Sequence, residues 1–342
     1  MPVHDLDARG PHNPVGSAPA RVPGSIRRTS TIDTTRPDGV TGRMVMDGRA
    51  RDLLTTRDGE ARVLGEASVV AHVDGASREL REIQTKPGAK LDELVGHVVG
   101  PGFRARVDEV APELCAGHGL LYLLLDDLPG AGLVSGYAML KADAIKKPEN
   151  DEYLGVRADM CAGWANDGSM MALIREHGQN PTPLGPPAPS LARADDPHAW
   201  HDVAPLPPTA MRRLRRIDVH APGTDRGDCV VDVFFRDSHV DGDGLETVVH
   251  EYTVRAAVDP MTRIITAIDA AADVLPWKEC PGAVGSAARL VGHGLDDLRP
   301  WVRETFVGTT TCTHLNDVLR GLTDVGALLD EAARGDSSEV RG

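Results

Sequence analysis

Four side chains in the C-terminal third of the chain are of the types that bind metal ions: His250, Cys280, Cys312 and His314. Neutral imidazole and thiolate are the donors that zinc and similar transition metals prefer. Cys280 precedes one predicted helix and Cys312 opens another, and a thiol at a helix N-terminus has a lowered pKa that favours its ligating form. The pattern predicts one divalent transition metal, with zinc favoured over iron.

A metal held in this way would act as a Lewis acid on a carbonyl or hydroxyl group, or would generate hydroxide near neutral pH. Glu251 and His314 are the candidate catalytic residues, because a carboxylate or imidazole beside the metal can move a proton. We therefore predict a metal-dependent enzyme of the lyase, hydratase or hydrolase type with a small-molecule substrate. The alternative is a non-catalytic scaffold or accessory protein that binds a metal or cluster through a closed set of four ligands.

Two further hypotheses use the same residues without a metal. In the first, Cys312 is a nucleophile and His314 its base, although side chains two positions apart at a helix start do not naturally face each other. In the second, the cysteines and histidines are core residues of a structural module. That hypothesis predicts that Cys280 lies far from Cys312.

The elements that must position these residues occur twice along the chain. Residues 25–74 align with residues 210–259 at an offset of 185 without a gap, and 18 of the 50 pairs are identical. A later match, of Leu94-Val95-Gly96-His97 with Leu290-Val291-Gly292-His293, has an offset of 196. A repeat of this length suits one domain per copy rather than a solenoid unit.

Each copy is predicted to be an α+β domain, with antiparallel strands followed by helices. In the second copy the strands are predicted at 213–219, 228–236, 248–258 and 263–267, and the helices at 282–292, 295–306 and 313–329. The two tandem homologous domains would pack as a pseudo-dimer. The predicted boundaries are a flexible N-terminal tail (1–24), a degenerate first repeat (25–140), a Pro-rich connector (141–209), a second repeat that carries the site (210–334) and a C-terminal tail (335–342).

The first copy lacks most of the candidate ligands. Gly65 stands in place of His250, Ala116 in place of Cys312, and the segment that would hold Cys280 is missing. His118 is the counterpart of His314. We therefore expect the metal site in the second copy alone.

The second copy closely resembles the bacterial domain of unknown function 2889 over residues 210–330. The resemblance rests on Leu275-Pro276 with Cys280, on Leu290-Val291-Gly292 and on Cys312-Thr313-His314-Leu315. It implies no activity, and it extends to the first copy only as a diverged relative.

The layout is also similar to that of the NifU-type iron–sulphur scaffold proteins. This similarity implies that His250, Cys280 and Cys312 occupy the three ligand positions of those proteins, with His314 or Glu251 as the fourth ligand. A histidine as the first ligand suits a mononuclear site better than a cluster.

Composition excludes several classes of partner. The chain has 342 residues and a formal charge of −14, which argues against nucleic acid because binding its backbone needs positive charge. No apolar run approaches the ~18–20 residues of a membrane span, and the N-terminus lacks a secretory signal pattern.

Five dispersed cysteines do not indicate a disulfide framework. We expect a cytoplasmic protein with no nucleic-acid or membrane partner, either a monomer with an internal pseudo-dimer or a homodimer.

Other polar groups are predicted to be structural. The acidic segment 237–243 is expected to be a solvated hairpin turn, with Asp237 in a structural bond because Asp52 is its counterpart. His198 and His201 are expected to be exposed in the connector, and Cys161 to lie between the copies. The arginine clusters at 27–28 and 212–216 are expected to pair with neighbouring carboxylates.

Overall fold

The computed structural model describes residues 2–3, 8–142, 157–178, 180–220 and 227–339. Eight strands of these residues form one antiparallel sheet: β2 (Ser25–Thr35), β3 (Met44–Thr55), β4 (Ala61–Val73), β5 (Leu80–Lys86), β7 (Met211–His220), β8 (Cys229–Val240), β9 (Glu246–Val258) and β10 (Ile265–Val274). Their order in the sheet is β10-β9-β8-β7-β2-β3-β4-β5. Two short strands, β1 (Pro2–Val3) and β6 (Thr182–Pro183), pair in parallel outside it.

Helices follow each set of four strands. They are α1 (Phe103–Val110), α2 (Pro112–Gly117), α3 (Leu120–Val134), α4 (Gly136–Lys141), α5 (Ser169–His177), α6 (Leu298–Thr305), α7 (Thr313–Gly321) and α8 (Val325–Glu339), with 3-10 turns at Asp92–Leu94, Ala162–Trp164, Cys280–Leu290 and Leu322–Asp324. The predicted combination of antiparallel strands and helices is confirmed. None of the helices in the described ranges has the length and apolar character needed to span a membrane.

The two sets of strands share one sheet rather than forming separate sheets. They meet where β2 pairs with β7, in a register that places Ser30 opposite Arg215. These two residues are also each other's counterparts at the sequence offset of 185. Parts of the predicted connector (143–156 and 179), second repeat (221–226) and C-terminal tail (340–342) lie outside the described residues.

One face of the sheet is covered by helices and contains buried ion pairs beside its apolar core. Because side chains alternate along a strand, Arg213 and Arg215 of β7 point to this face beside Ile217 and Val219. Helix α3 is apolar on nearly all sides and is therefore buried, and it carries Asp126 and Asp127 into the interior. The network consists of Arg28, Arg104, Arg213, Arg215, Arg299 and Arg320 with Asp52, Asp126, Asp127, Asp237, Asp317 and Asp324.

Two ion-pair sets in this network are reciprocal between the two halves of the chain. Arg28 of β2 pairs with Asp52 at 2.7 Å and with Asp324 of the second half at 3.1 Å. Arg213, the counterpart of Arg28, pairs with Asp237 at 2.8 Å and lies 3.7 Å from Asp127 of the first half. The prediction that the arginine clusters pair with carboxylates is confirmed. Each half therefore supplies a carboxylate to the other.

The opposite face of the sheet is covered by residues 8–24 and by the Pro-rich connector. Ala18, Leu191 and Trp200 pack there against Leu214 and Phe234. The N-terminal segment was expected to be a flexible tail, but Ala18 is fully buried. At the other end of the chain, α8 continues to Glu339, into the predicted C-terminal tail.

His201 is buried, which contradicts the prediction of an exposed connector histidine. Its Nδ1 lies 2.8 Å from Thr29 Oγ1 and its Nε2 2.9 Å from Thr31 Oγ1. Burial, with Arg51 nearby, lowers the pKa of His201 to about 3. His198 is exposed as predicted. The connector is therefore anchored to β2 through a neutral imidazole.

We expect His201→Asn to reduce the acid sensitivity of the fold. In the folded protein His201 stays neutral down to about pH 3, whereas in the unfolded chain it is protonated below the ordinary histidine pKa of 6.5. The stability that neutral His201 contributes is therefore complete above pH 6.5 and is lost as the pH falls toward 3. The free energy of unfolding of the variant should fall less steeply over this window, by about 1.4 kcal/mol per pH unit. Urea unfolding at several pH values measures this slope, and equal slopes for both proteins would contradict it.

We expect Gly130→Ala in α3 to destabilise the protein. A Cβ at this position would overlap the Arg213 guanidinium and lie 2.5 Å from Asp317 Oδ2, so the ion pair must move. We expect a cost of about 1–3 kcal/mol in the free energy of unfolding. Gly136→Ala in α4 is the matched control, since its Cβ would meet nothing within 4 Å. Equal effects of the two substitutions on the urea midpoint would show that the ion pair has room to adjust.

Candidate metal centre

Asp237, His250 and His314 come together on the helix-covered face of the sheet. Asp237 on β8 and His250 on β9 are cross-strand partners, and His314 is the second residue of α7. Asp237 Oδ2 lies 3.6 Å from His250 Nδ1 and 3.9 Å from His314 Nε2. The two imidazole rings stack with their centroids 3.6 Å apart.

The three donor atoms are spaced closely enough to share one metal ion. One oxygen and two ring nitrogens lie within 4.8 Å of one another, and no other such group of three occurs within the described ranges. Tetrahedral zinc with bonds of about 2.0–2.2 Å holds its N and O ligands roughly 3.3–3.6 Å apart. A shared ion therefore requires the donors to move closer together and the stacked rings to tilt so that both nitrogens aim at one point.

The charges around the site favour the metal-binding forms of its residues. Burial acts to raise the pKa of Asp237, but the Arg213 guanidinium outweighs it and holds that pKa well below its usual range. Burial, with His250 adjacent, lowers the pKa of His314 to about 3. The carboxylate is therefore ionised and the His314 ring neutral at physiological pH, as metal ligation requires.

Cys312 lies behind His314 rather than among the donors. It is the N-cap residue of α7, and its extended backbone (φ −136°, ψ 131°) brings Sγ to 3.8 Å from His314 Nδ1. The expectation that these two side chains do not face each other is wrong, because Cys312 lies outside the helical turn. Sulfur contacts Nδ1 while Nε2 faces Asp237, so Cys312 helps to orient the ring.

Cys280 belongs to a neighbouring group of buried thiols. Ala162 N donates to Thr311 O at 2.9 Å, which brings Cys161 beside Cys312. A Cβ on Gly163 would lie 2.7 Å from Cys280 Sγ. The structural-module hypothesis expected Cys280 far from Cys312, yet both thiols lie beside Tyr252.

Cys280 and Cys312 do not have the lowered pKa that we expected from their positions at helix starts. Burial raises the pKa of Cys161 to about 12 and that of Cys280 well above its ordinary value. Burial also raises the pKa of Cys312, although the nearby Tyr252 hydroxyl acts against it. The desolvation of a buried thiolate therefore outweighs the helix dipole.

Glu251 does not reach the site, although it follows His250 in sequence. Side chains alternate along β9, so Glu251 points to the opposite face of the sheet. There it accepts hydrogen bonds from Arg236 and from the backbone N–H of Val15. The structure therefore places Glu251 away from the three donors, where its contacts hold the N-terminal segment against the sheet.

The part of the chain that holds all three donors also matches a family model. Residues 211–327 match the family model described as Protein of unknown function (DUF2889). This confirms the resemblance that we noted for the second copy. The comparisons with curated proteins and with solved structures found no match.

Sequence reasoning missed Asp237 as a donor within the DUF2889 region. The acidic segment was expected to be a turn, but Asp237 lies inside β8, and the turn begins only at Asp241. Asp237 has a counterpart in the first copy, Asp52, which pairs with Arg28 in the same manner. A residue shared by both copies indicates structure, so the sequence offered no separate signal for a ligand here. Of the three donors, only His250 lacks a counterpart.

We expect the native protein to expose at most one reactive thiol. Cys115 is partly exposed, whereas Cys161, Cys229, Cys280 and Cys312 are buried. Buried, protonated thiols react slowly, since the thiolate is the nucleophile. Titration with an aromatic disulfide reagent should therefore modify only Cys115 quickly, and all five cysteines after unfolding. Rapid modification of Cys312 in the native protein would instead favour the hypothesis of a nucleophilic thiol.

Proposed function

We propose that this protein binds one divalent transition metal, zinc in preference to iron, through Asp237, His250 and His314. The single observation that carries the proposal is the convergence of these three donor atoms from β8, β9 and α7 within 4.8 Å. Two imidazoles and one carboxylate suit zinc, and the same set with open positions also suits Fe²⁺. We propose that Cys280 and Cys312 are not ligands.

The proposed activity is metal-dependent hydrolysis, hydration or lyase chemistry on a small organic molecule. Catalytic zinc sites keep three protein ligands and leave a position for water or substrate. His250 and His314 have side chains that are 12% and 14% exposed, while Asp237 is 0% exposed. The exposed edge of the site is where a substrate would approach, and the metal would supply Lewis-acid activation.

A non-catalytic metal-binding role is the second candidate, and the position of Cys312 favours it. Its sulfur is 3.8 Å from the His314 ring, so a change of rotamer would bring a fourth ligand toward the metal and close the site. Cobalt substitution separates the two, because a bound thiolate produces an intense sulfur-to-metal absorption band. The open catalytic site that we propose lacks this band.

We further propose that the chain arose by internal duplication and that its halves form a pseudo-dimer within one sheet. The reciprocal pairs of Arg28 with Asp324 and of Arg213 with Asp127 support this, as does the pairing of Ser30 with its own counterpart Arg215. The similarity to NifU-type scaffolds stays a prediction. So does the oligomeric state, monomer or homodimer.

Elemental analysis of the purified protein tests the metal site. We expect about one zinc or iron per chain, and a loss of at least tenfold in metal affinity in His250→Ala and in His314→Ala. Cys280→Ser should retain the metal, and His177→Ala, which changes an exposed histidine on α5, is the matched control. Asp237→Asn should also lose the metal, but it weakens the pair with Arg213, so circular dichroism must show that it folds.

The results would separate this donor set from the cysteine-containing set that the sequence predicts. Loss of metal in Cys280→Ser with retention in His250→Ala would overturn the assignment of the donors. A wild-type protein that takes up no zinc, iron or cobalt after purification without chelators would overturn the metal site altogether.

A further inference from the structure

Two arginines of the first half converge on the C-terminal end of α3. Arg36, which follows β2, donates through Nη2 to Ser135 Oγ at 3.0 Å. Arg78, in the turn before β5, donates through Nη2 to Val99 O at 2.8 Å, and this Nη2 would lie 3.1 Å from a Cβ on Gly132. Ser135 Oγ in turn donates to Gly132 O. The two guanidinium groups therefore lie on one turn of the helix.

Neither arginine has a carboxylate partner among the residues that the structure describes. Arg36 Nε and Nη1 and Arg78 Nε are buried and make no hydrogen bond. Burial lowers the pKa of both groups, and the neighbouring positive charges add to this effect. In a chain with a formal charge of −14, two half-buried arginines that have no counterion within the described ranges require an explanation.

The second half of the chain shows how the same position is neutralised. Arg263 is the counterpart of Arg78 at the offset of 185 and shares its left-handed backbone, with φ of 56° against 61°. Arg263 pairs with Asp330 of α8 at 2.5 Å. In the first half, the helix that contacts Arg78 has no acidic residue after Asp127. The first half has therefore kept the arginine without the carboxylate, and it has Arg36 in addition.

The dipole of α3 does not balance these charges. A helix C-terminus carries about half an elementary negative charge, whereas Arg36 and Arg78 bring two positive charges. Among the described residues, the helix end therefore offsets only part of the charge of these two guanidinium groups.

We propose that Arg36 and Arg78 form a binding site for a small phosphate-like oxyanion. Guanidinium groups pair with phosphate oxygens through charge-assisted hydrogen bonds. Arg36 and Arg78 are both partly exposed, whereas their unused nitrogens are buried. A small oxyanion therefore enters with a shift of the two side chains, and once bound it supplies the acceptors that these N–H groups lack. The site lies in the first half, is distinct from the metal centre and does not depend on the proposed function.

Thermal unfolding in inorganic phosphate, compared with chloride at equal ionic strength, tests this site. We expect phosphate to raise the Tm of the wild-type protein by a few degrees, because a ligand that binds only the folded state stabilises it. Arg36→Gln and Arg78→Gln should each lose most of this rise. Arg263→Gln is the matched control, because it removes an arginine that has the same backbone conformation as Arg78. It should lower the Tm, since Asp330 loses its ion-pair partner, and it should keep the full phosphate response.

Phosphate also stabilises many proteins without specific binding, and the variants distinguish this effect. A rise of equal size in wild type, Arg36→Gln and Arg78→Gln would overturn the site, as would the absence of any rise in wild type. Calorimetric titration of the wild-type protein with phosphate provides a readout that does not depend on how the variants fold. One saturable site is expected, and heat of dilution alone would overturn the proposal.

Discussion

The structure depends on the buried charge network between the centre of the sheet and α1, α3, α6, α7 and the 3-10 turn Leu322–Asp324. Arginines from β2 and β7 would be strongly destabilising on a covered face if they were unpaired, because desolvating a single charge costs several kcal/mol. Arg28 and Arg213 pair with aspartates on adjacent strands and with further aspartates from the helical segments, and Arg215 pairs with Asp127 on α3. Arg213, for example, contacts Asp237 on β8 and Asp317 on α7. This requirement for pairing fixes where the helices lie against the sheet, in addition to the burial of apolar side chains.

The proposed metal centre lies at the edge of this network. Asp237 serves both, since its pair with Arg213 keeps it ionised and in place while Oδ2 faces the two histidines. His314 enters from α7, the same helix whose Asp317 pairs with Arg213. The charge network therefore holds two of the three donors before any metal binds, and only His250 depends on β9 alone.

The two halves of the chain share the same order of strands and the same buried ion pairs, but they differ at positions outside those pairs. Asp52 and Arg28 repeat the pair of Asp237 and Arg213, but Gly65 stands where the second half has His250, so the first half cannot form the same donor set. In the first half, α3 has no counterpart of Asp330, the carboxylate that pairs with Arg263 in the second half. The proposed duplication accounts for these differences, because the reciprocal ion pairs preserve the sheet while positions outside them vary.

The sequence by itself determined the repeat, the antiparallel strands and helices of each copy, the DUF2889 resemblance and the two histidines of the proposed donor set, since hydrophobic periodicity, offset identities and residue types are local properties. It could not determine which neighbours the histidines have. The alternation of side chains along β9 separates Glu251 from His250, and cross-strand register brings Asp237 to His250 in its place. Burial decides the protonation of the cysteines and of His201. Register, face and burial are set only when distant segments pack together, so only the tertiary structure decides them.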